Sequence, residues 1–319
     1  MGRFIARRLV QAIPTLFGIM LITFALTRLS PSDPVQLMVA GNFDITAEDK
    51  ATLRHNLGLD EPLPIQFGLW MVRAAQGDLG TSFYYHRPVT QLIWERIPNT
   101  MQYTIPSLIL AVIIGAPLGF VAARLRGRLP DHIIRLLSVV LHALPEFFVG
   151  LLVVLILGIQ LRWLPIGSMN AVGSSCALCG DRFVHLIGPV LVGALGGIAF
   201  YPRLMRTEVL EILGQDYVRT ARSKGLREKA VLVGHVLRNA LIPVVTIFGG
   251  LLGIVLSSSL VIEQVFNWPG LGRLLFEGAV NKDYPMVQAV TIFGSVLLLI
   301  SYILRDIAYA WVDPRIKVR

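Results

Sequence analysis

The strongest constraint on this chain is its succession of apolar runs, separated by short segments rich in arginine. Most are close to or beyond the roughly 20 residues needed to cross a bilayer. Backbone groups inside a bilayer have no water to bond, so runs of this length have to satisfy themselves as helices. The runs at residues 9–29, 101–123, 136–161, 186–202, 241–262 and 286–304 predict an all-α membrane protein with six transmembrane helices. Composition agrees: 54% of the 319 residues are hydrophobic and only 15% are charged, against about 25% charged in an average soluble domain. The net charge of +9 does not point to nucleic acid, because the basic residues sit beside the apolar runs rather than forming a separate basic surface.

Charge also predicts orientation. The segments at 124–135 and 203–240 carry Arg124, Arg126, Arg128 and Arg135, then Arg203, Arg206, Arg219, Arg222, Lys224, Arg227, Lys229 and Arg238. The alternating segments are poor in basic residues: Arg182 in one, Arg273 and Lys282 in the other. Cytoplasmic loops are the ones enriched in Lys and Arg, so both termini are expected in the cytoplasm. The first run follows Arg3, Arg7 and Arg8, as a secretory signal does. Its length, and the lack of a small-x-small site before Arg28, predict an uncleaved helix. The expected organisation is an N-terminal arm and first helix at 1–29, an extracytoplasmic region at 30–100, a transmembrane core at 101–310 and a cytoplasmic tail at 311–319. Within the outer region, Thr46 with Asp49 three positions on marks a helix start, and Ile65–Ala75 reads as a second amphipathic segment.

Inside the runs, GxxxG occurs at Gly115–Gly119, Gly193–Gly197 and Gly249–Gly253. Small residues four apart let helices approach closely in lipid. Pro106, Pro117, Pro145, Pro189 and Pro243 interrupt or begin spans. Ionisable groups there are few, and costly enough to mark a pathway or a structural pair. His142 and Glu146, four apart, are expected on one helix face, either lining a path or paired against a neighbouring helix. Ser258 and Glu263, near the outer end of the fifth run, are further path candidates, with a solvent-facing Glu263 as the alternative. Cys176 and Cys179 lie in an outer loop with Asp181 and His185 nearby. A local disulfide, two free thiols and an incomplete metal cluster all remain open. No GxxxxGK[ST], HExxH or GxSxG occurs, so no ATP site of the Walker kind and no protease or hydrolase chemistry is expected.

The longest polar interruption in the second half, residues 216–243, reads as two short helices with a turn at Gly225. Here the chain resembles the permease subunits of bacterial binding-protein-dependent ABC importers. Their cytoplasmic signature is an E-A-A-x3-G loop, and Arg219-Thr220-Ala221 precede Gly225 at that spacing. Arg219 replaces the usual Glu and Pro243 lies farther on, as in the dipeptide/oligopeptide/nickel branch. RRLVQAIPTLFGI, GLDEPLPIQFGLW, GDLGTS, NWPGLGRLL, DYPMVQA and DPRIK are also strings of that branch, and the long first outer loop resembles its B-type member. The resemblance implies a six-helix type I permease, half of a heterodimeric channel with a C-type partner permease, located in the bacterial inner membrane. It implies two cytoplasmic ATPases that use ATP and Mg, an extracytoplasmic substrate-binding protein, and no cofactor on this chain. Residues 216–224 would be the coupling helix. Asp216 would cap it, small Thr220 and Ala221 would allow close approach to an ATPase, Arg219, Arg222 and Lys224 would pair with acidic groups on the ATPase or with anionic lipid head groups, Tyr217 and Leu226 would complete the contact, and Gly225 would make the turn. The implied substrates are dipeptides, oligopeptides, glutathione, nickel or metal chelates. A stand-alone secondary transporter or an intramembrane enzyme is the rival class.

Overall fold

The computed structural model describes residues 2–29, 33–39, 46–56, 58–171, 180–249 and 259–312. Among these residues the chain is helical, with a single isolated β-bridge between Thr81 and Pro88. Four helices are long and apolar enough to cross a membrane, or five when a bent pair is counted as one span. They are α1 (Gly2–Leu29), α5 (Val89–Arg124), α8 (Gly180–Leu213) and α14 (Tyr284–Val312), with α6 (Leu129–Ala143) and α7 (Glu146–Val153) as the bent pair. The expected span at 241–262 is described only at its flanks, by α11 (Arg238–Gly249) and α12 (Ser259–Val265). Residues 250–258 lie outside the described residues, so this fifth expected span is not traced from end to end.

The two motifs Gly115–Gly119 and Gly193–Gly197 face each other. A side-chain carbon on Gly119 would fall 2.5 Å from the Pro202 carbonyl oxygen, and one on Gly197 would fall 2.5 Å from Ala111 Cβ. Gly115 meets Tyr201 and Gly193 meets Ser107 in the same register, so α5 and α8 run parallel at close range. The third motif, Gly249–Gly253, lies outside the described side chains. Pro106, Pro117 and Pro189 sit within continuous helices. Pro145 alone among the described spans marks a sharp break: α6 and α7 meet at 96°, with Leu144 and Pro145 in extended conformation between them.

Two helices outrun their apolar segments. The second span begins at Val89, because Val89, Leu92 and Ile93 bury against Leu271, Leu274 and Met286 of α13 (Leu271–Val280) and α14. The fourth continues to Leu213, because Met205 and Val209 remain in the core. Arg8 pairs with Asp306 at 2.8 Å, and Gln288 Nε2 donates to Thr27 Oγ1 at 2.7 Å. α1 and α14 are therefore antiparallel, and the beginning of α1 and the end of α14 share one end of the molecule.

At the opposite end lie α2 (Pro34–Met38), α3 (Ala47–Asn56) and α4 (Leu63–Ala75). The expected capping box opens α3: Asp49 N–H donates to Thr46 Oγ1, and Thr46 N–H donates to Asp49 Oδ2. Phe67 and Trp70 of α4 pack on Phe24 of α1, with ring centroids 5.3 and 5.8 Å away. Asp283, fully buried, accepts from the Ser82 hydroxyl and the Tyr84 N–H, tying residues 82–84 to the start of α14. The Tyr85 hydroxyl donates to Glu277 at 2.6 Å, and burial together with that carboxylate pushes it up to about 12.

Candidate functional site

Residues 216–223 form α9 (Asp216–Ser223). Its Val218 and Ala221 are three apart, so they share a face, and both are buried in the cluster that holds Met205, Val209, Val231 and Val236. Tyr217, Arg219, Thr220, Arg222, Lys224 and Leu226 remain exposed. One face anchors the helix to its own chain and the rest of its surface is on display.

The end of α9 has the bonding of a Schellman motif. Leu226 N–H donates to Ala221 O at 3.4 Å and Gly225 N–H to Arg222 O at 2.9 Å, with Gly225 at φ +78°. That left-handed conformation is cheap only without a Cβ. The chain then enters α10 (Glu228–Ala230), which runs through a π-helical segment, Val231–Leu237, into α11. The expected second short helix is thus the beginning of a longer one. Arg222 clasps Glu228 across the turn through two hydrogen bonds of 3.2 and 2.8 Å, which hold the Glu228 carboxyl below its ordinary value.

Two expectations for this segment are corrected. Gln215, not Asp216, is the N-cap, and no side-chain capping bond forms. Asp216 is the first helical residue, its exposed carboxylate 3.8 Å from Arg219 Nη1. In that first turn it still complements the helix dipole. Ala221 points into the chain's own core rather than outward, because a short helix must bury its apolar residues somewhere. Thr220 stays exposed and its hydroxyl turns back to Asp216 O at 2.9 Å.

A second polar feature involves α8, the element that precedes α9: Asp131 at the start of α6 is buried between two arginines, one of them on α8. Arg206 Nε donates to it at 2.7 Å and Arg206 Nη2 at 3.0 Å, Arg135 lies at 3.3 Å, and Gly127 N–H donates at 2.9 Å. This joins the short loop after α5 to α8, just ahead of α9. The basic count around Asp131 hid it in the sequence; a lone acid among arginines was the available signal.

The path candidates separate. His142 is in the last turn of α6 and Glu146 opens α7, so the 96° break removes the shared face expected of them. No hydrogen bond or ion pair joins the two. Glu146 is half-buried and His142 exposed. Ser258, Cys176 and Cys179 lie outside the described residues.

Glu263 faces neither solvent nor an open path: it is fully buried. Thr100 Oγ1 donates to its carboxylate at 2.7 Å, the Tyr103 hydroxyl at 3.2 Å and Arg273 N–H at 2.8 Å. The carboxylate lies so close to Gly270 that a Cβ there would fall 2.0 Å from Oε1. Fully buried Trp268 stacks edge-on against Tyr103 and donates from Nε1 to Asn99 O at 2.8 Å. The NWPGLGR string is therefore a folded corner built around Glu263.

Tyr103, Thr104 and Ser107 of α5, with Gly193, Gly197 and Ile262, line an open cavity of about 390 Å³ between α5 and α8. These uncharged polar residues went unmarked in the sequence because only ionisable groups stand out in an apolar run. Their clustering in a span was the signal available. Among the described residues no group of three or more His, Cys, Asp or Glu is placed to hold a metal ion.

Comparison with known proteins bears on this geometry. Residues 115–318 match the family described as binding-protein-dependent transport system inner membrane component, and residues 1–104 match its N-terminal counterpart. The chain is 38% identical to the oligopeptide transport system permease protein AppB of Bacillus subtilis (strain 168), over 99% of this chain and 100% of that protein. It is 40% identical to the glutathione transport system permease protein GsiC of Pectobacterium atrosepticum and 38% identical to GsiC of Salmonella typhimurium LT2, in each case over the full length of both chains.

Proposed function

Because the chain belongs to the family of binding-protein-dependent transport system inner membrane components, we propose that it is the B-type permease of an ABC importer for peptides or peptide-like solutes such as glutathione. Relatives named for oligopeptide and glutathione transport support that substrate class over nickel or a metal chelate. The permease carries no catalysis of its own. It would form half of a channel with a second permease, receive substrate from an extracytoplasmic binding protein, and be driven by two cytoplasmic ATPases. Both termini would be cytoplasmic.

The observation that carries the reading is α9. A force-transmitting element has to be rigid on one side and accessible on the other. Burial of Val218 and Ala221, the Gly225 turn and the Arg222–Glu228 clasp supply the first property. Exposed Tyr217, Arg219, Thr220, Lys224 and Leu226 supply the second. ATP-driven closure of the ATPases would move α9, and through its core contacts α8, whose face toward α5 lines the cavity of about 390 Å³. The ligand-driven switch requires that nucleotide and loaded binding protein favour different states of the assembly.

The test is uptake by the reconstituted transporter with its native binding protein, against di- and oligopeptides, glutathione, nickel and metal chelates. Peptide or glutathione uptake that depends on ATP is expected. Uptake of nickel or a chelate alone would overturn the substrate class. A single cysteine at Arg219 should crosslink to an ATPase subunit, and crosslinking only to the binding protein would overturn the proposed side.

A further inference from the structure

A second cavity, of about 300 Å³, lies far from α9 and shares no lining residue with the α5–α8 cavity. It opens where α1 ends and α14 begins, and α4 and residues 78–83 wall it in. Leu69 and Trp70 of α4 give it an apolar side. Its polar lining includes Arg28, Arg73, Asp78 and Gln66.

The charges in this cavity are unbalanced. Arg28 is half-buried, stacked 5.3 Å from the centre of the Phe24 ring, and neither it nor Arg73 has an ion-pair partner among the described residues. Asp78 is engaged locally, accepting from Gly80 N–H at 2.9 Å. Gln66 is 9% exposed. Its Nε2 donates to the carbonyls of Leu59 at 3.0 Å and Glu61 at 2.7 Å, which fixes the amide orientation. Its Oε1 is buried with no donor among the described residues. A buried acceptor left unmatched costs about 1–3 kcal/mol, and a donor on a bound ligand would remove that cost.

We propose that this cavity holds the head group of a glycerophospholipid, with its phosphate on Arg28 and Arg73 and its head-group N–H or O–H on Gln66 Oε1. Arginine forks match phosphate oxygens closely, and basic pockets at the ends of membrane helices suit lipid head groups. The position favours lipid over a soluble anion. The cavity sits at the end of an apolar span, with a tryptophan at the level where such rings mark the membrane–water interface. Its volume is at the low end for ligand pockets and admits a head group while the acyl chains run outside along α1, whose Phe17, Leu21 and Leu26 are exposed. The inference does not depend on the transported substrate.

The experiment is native mass spectrometry of the full-length chain, purified with the subunits that accompany it and reloaded with single lipids. Phosphatidylethanolamine and phosphatidylglycerol both carry a head-group donor and should be retained. Phosphatidylcholine has a trimethylammonium without N–H and should be retained about tenfold less. The Arg28→Gln, Arg73→Gln double variant should lose about tenfold in retention, and Arg162→Gln should not. Equal retention of the three lipids by the unmodified chain overturns the proposal without relying on any variant. Displacement of bound lipid by a tripeptide or by inorganic phosphate would also overturn it, reassigning the cavity to a soluble ligand.

Discussion

At the scale of single residues, the chain concentrates its demands at a few positions. Gly225 holds φ +78° at the end of α9, and a residue with a Cβ pays about 1–2 kcal/mol there. Gly225→Val is expected to leave ATP hydrolysis running while uptake falls, or to prevent assembly; wild-type uptake would contradict the coupling role. Glu263 is the hub of the corner at 267–273. Glu263→Ala strands donors from Thr100, Tyr103 and Arg273, each worth about 1–3 kcal/mol when buried and unmet. Thermal unfolding should show a marked loss for Glu263→Ala and a smaller one for Glu263→Gln, which keeps an acceptor. Glu146 differs in being half-buried and without a hydrogen-bonded partner among the described residues. Glu146→Gln should lower uptake with assembly intact, and unchanged uptake would remove it from the path. The chemistry of these groups was readable in the sequence. Which glutamate was enclosed was not, because Thr100, Tyr103 and Arg273 reach Glu263 from distant positions in the chain.

At the scale of elements, the paired glycine motifs decide how α5 and α8 meet. Gly119 has the Pro202 backbone and Met205 at its surface, whereas Gly196 has nothing within 4 Å. Gly119→Leu should destabilise the fold by about 1–3 kcal/mol or more through overpacking, while Gly196→Ala should be close to neutral; chemical or thermal unfolding in detergent compares the two. The motifs were visible as a spacing, and their parallel apposition follows from the structure. The break at Pro145 is the reverse case. Proline alone permits either a mild kink or a full turn, and α6 and α7 make a 96° corner. That corner separates His142 from Glu146, which the i, i+4 spacing had put on one face.

At the scale of the whole molecule, its two ends have different jobs. One end carries α9, the Asp131–Arg206 clasp and the Arg8–Asp306 pair. The other carries α2 to α4, the Asp283 ties and the Glu263 corner. An importer driven from the first end should transport after ion gradients are collapsed with ionophores, provided ATP is present. Uptake in proteoliposomes measures this, and loss of uptake with the gradient alone would favour a secondary transporter. Hydropathy and the placement of arginine by themselves determined that the chain is a helical membrane protein, and the Arg219-Thr220-Ala221-x3-Gly225 spacing carried the resemblance to a permease family and located a short helix ending in a glycine turn, because bilayer insertion and local turn geometry act on contiguous residues. Only the tertiary structure decided that Ala221 faces inward, that Glu263 is buried, that Asp131 is held between arginines and that Gln66 keeps an acceptor unmatched among the described residues. Those facts depend on partners far away in sequence, and no local pattern specifies which side chains a packed helix will meet.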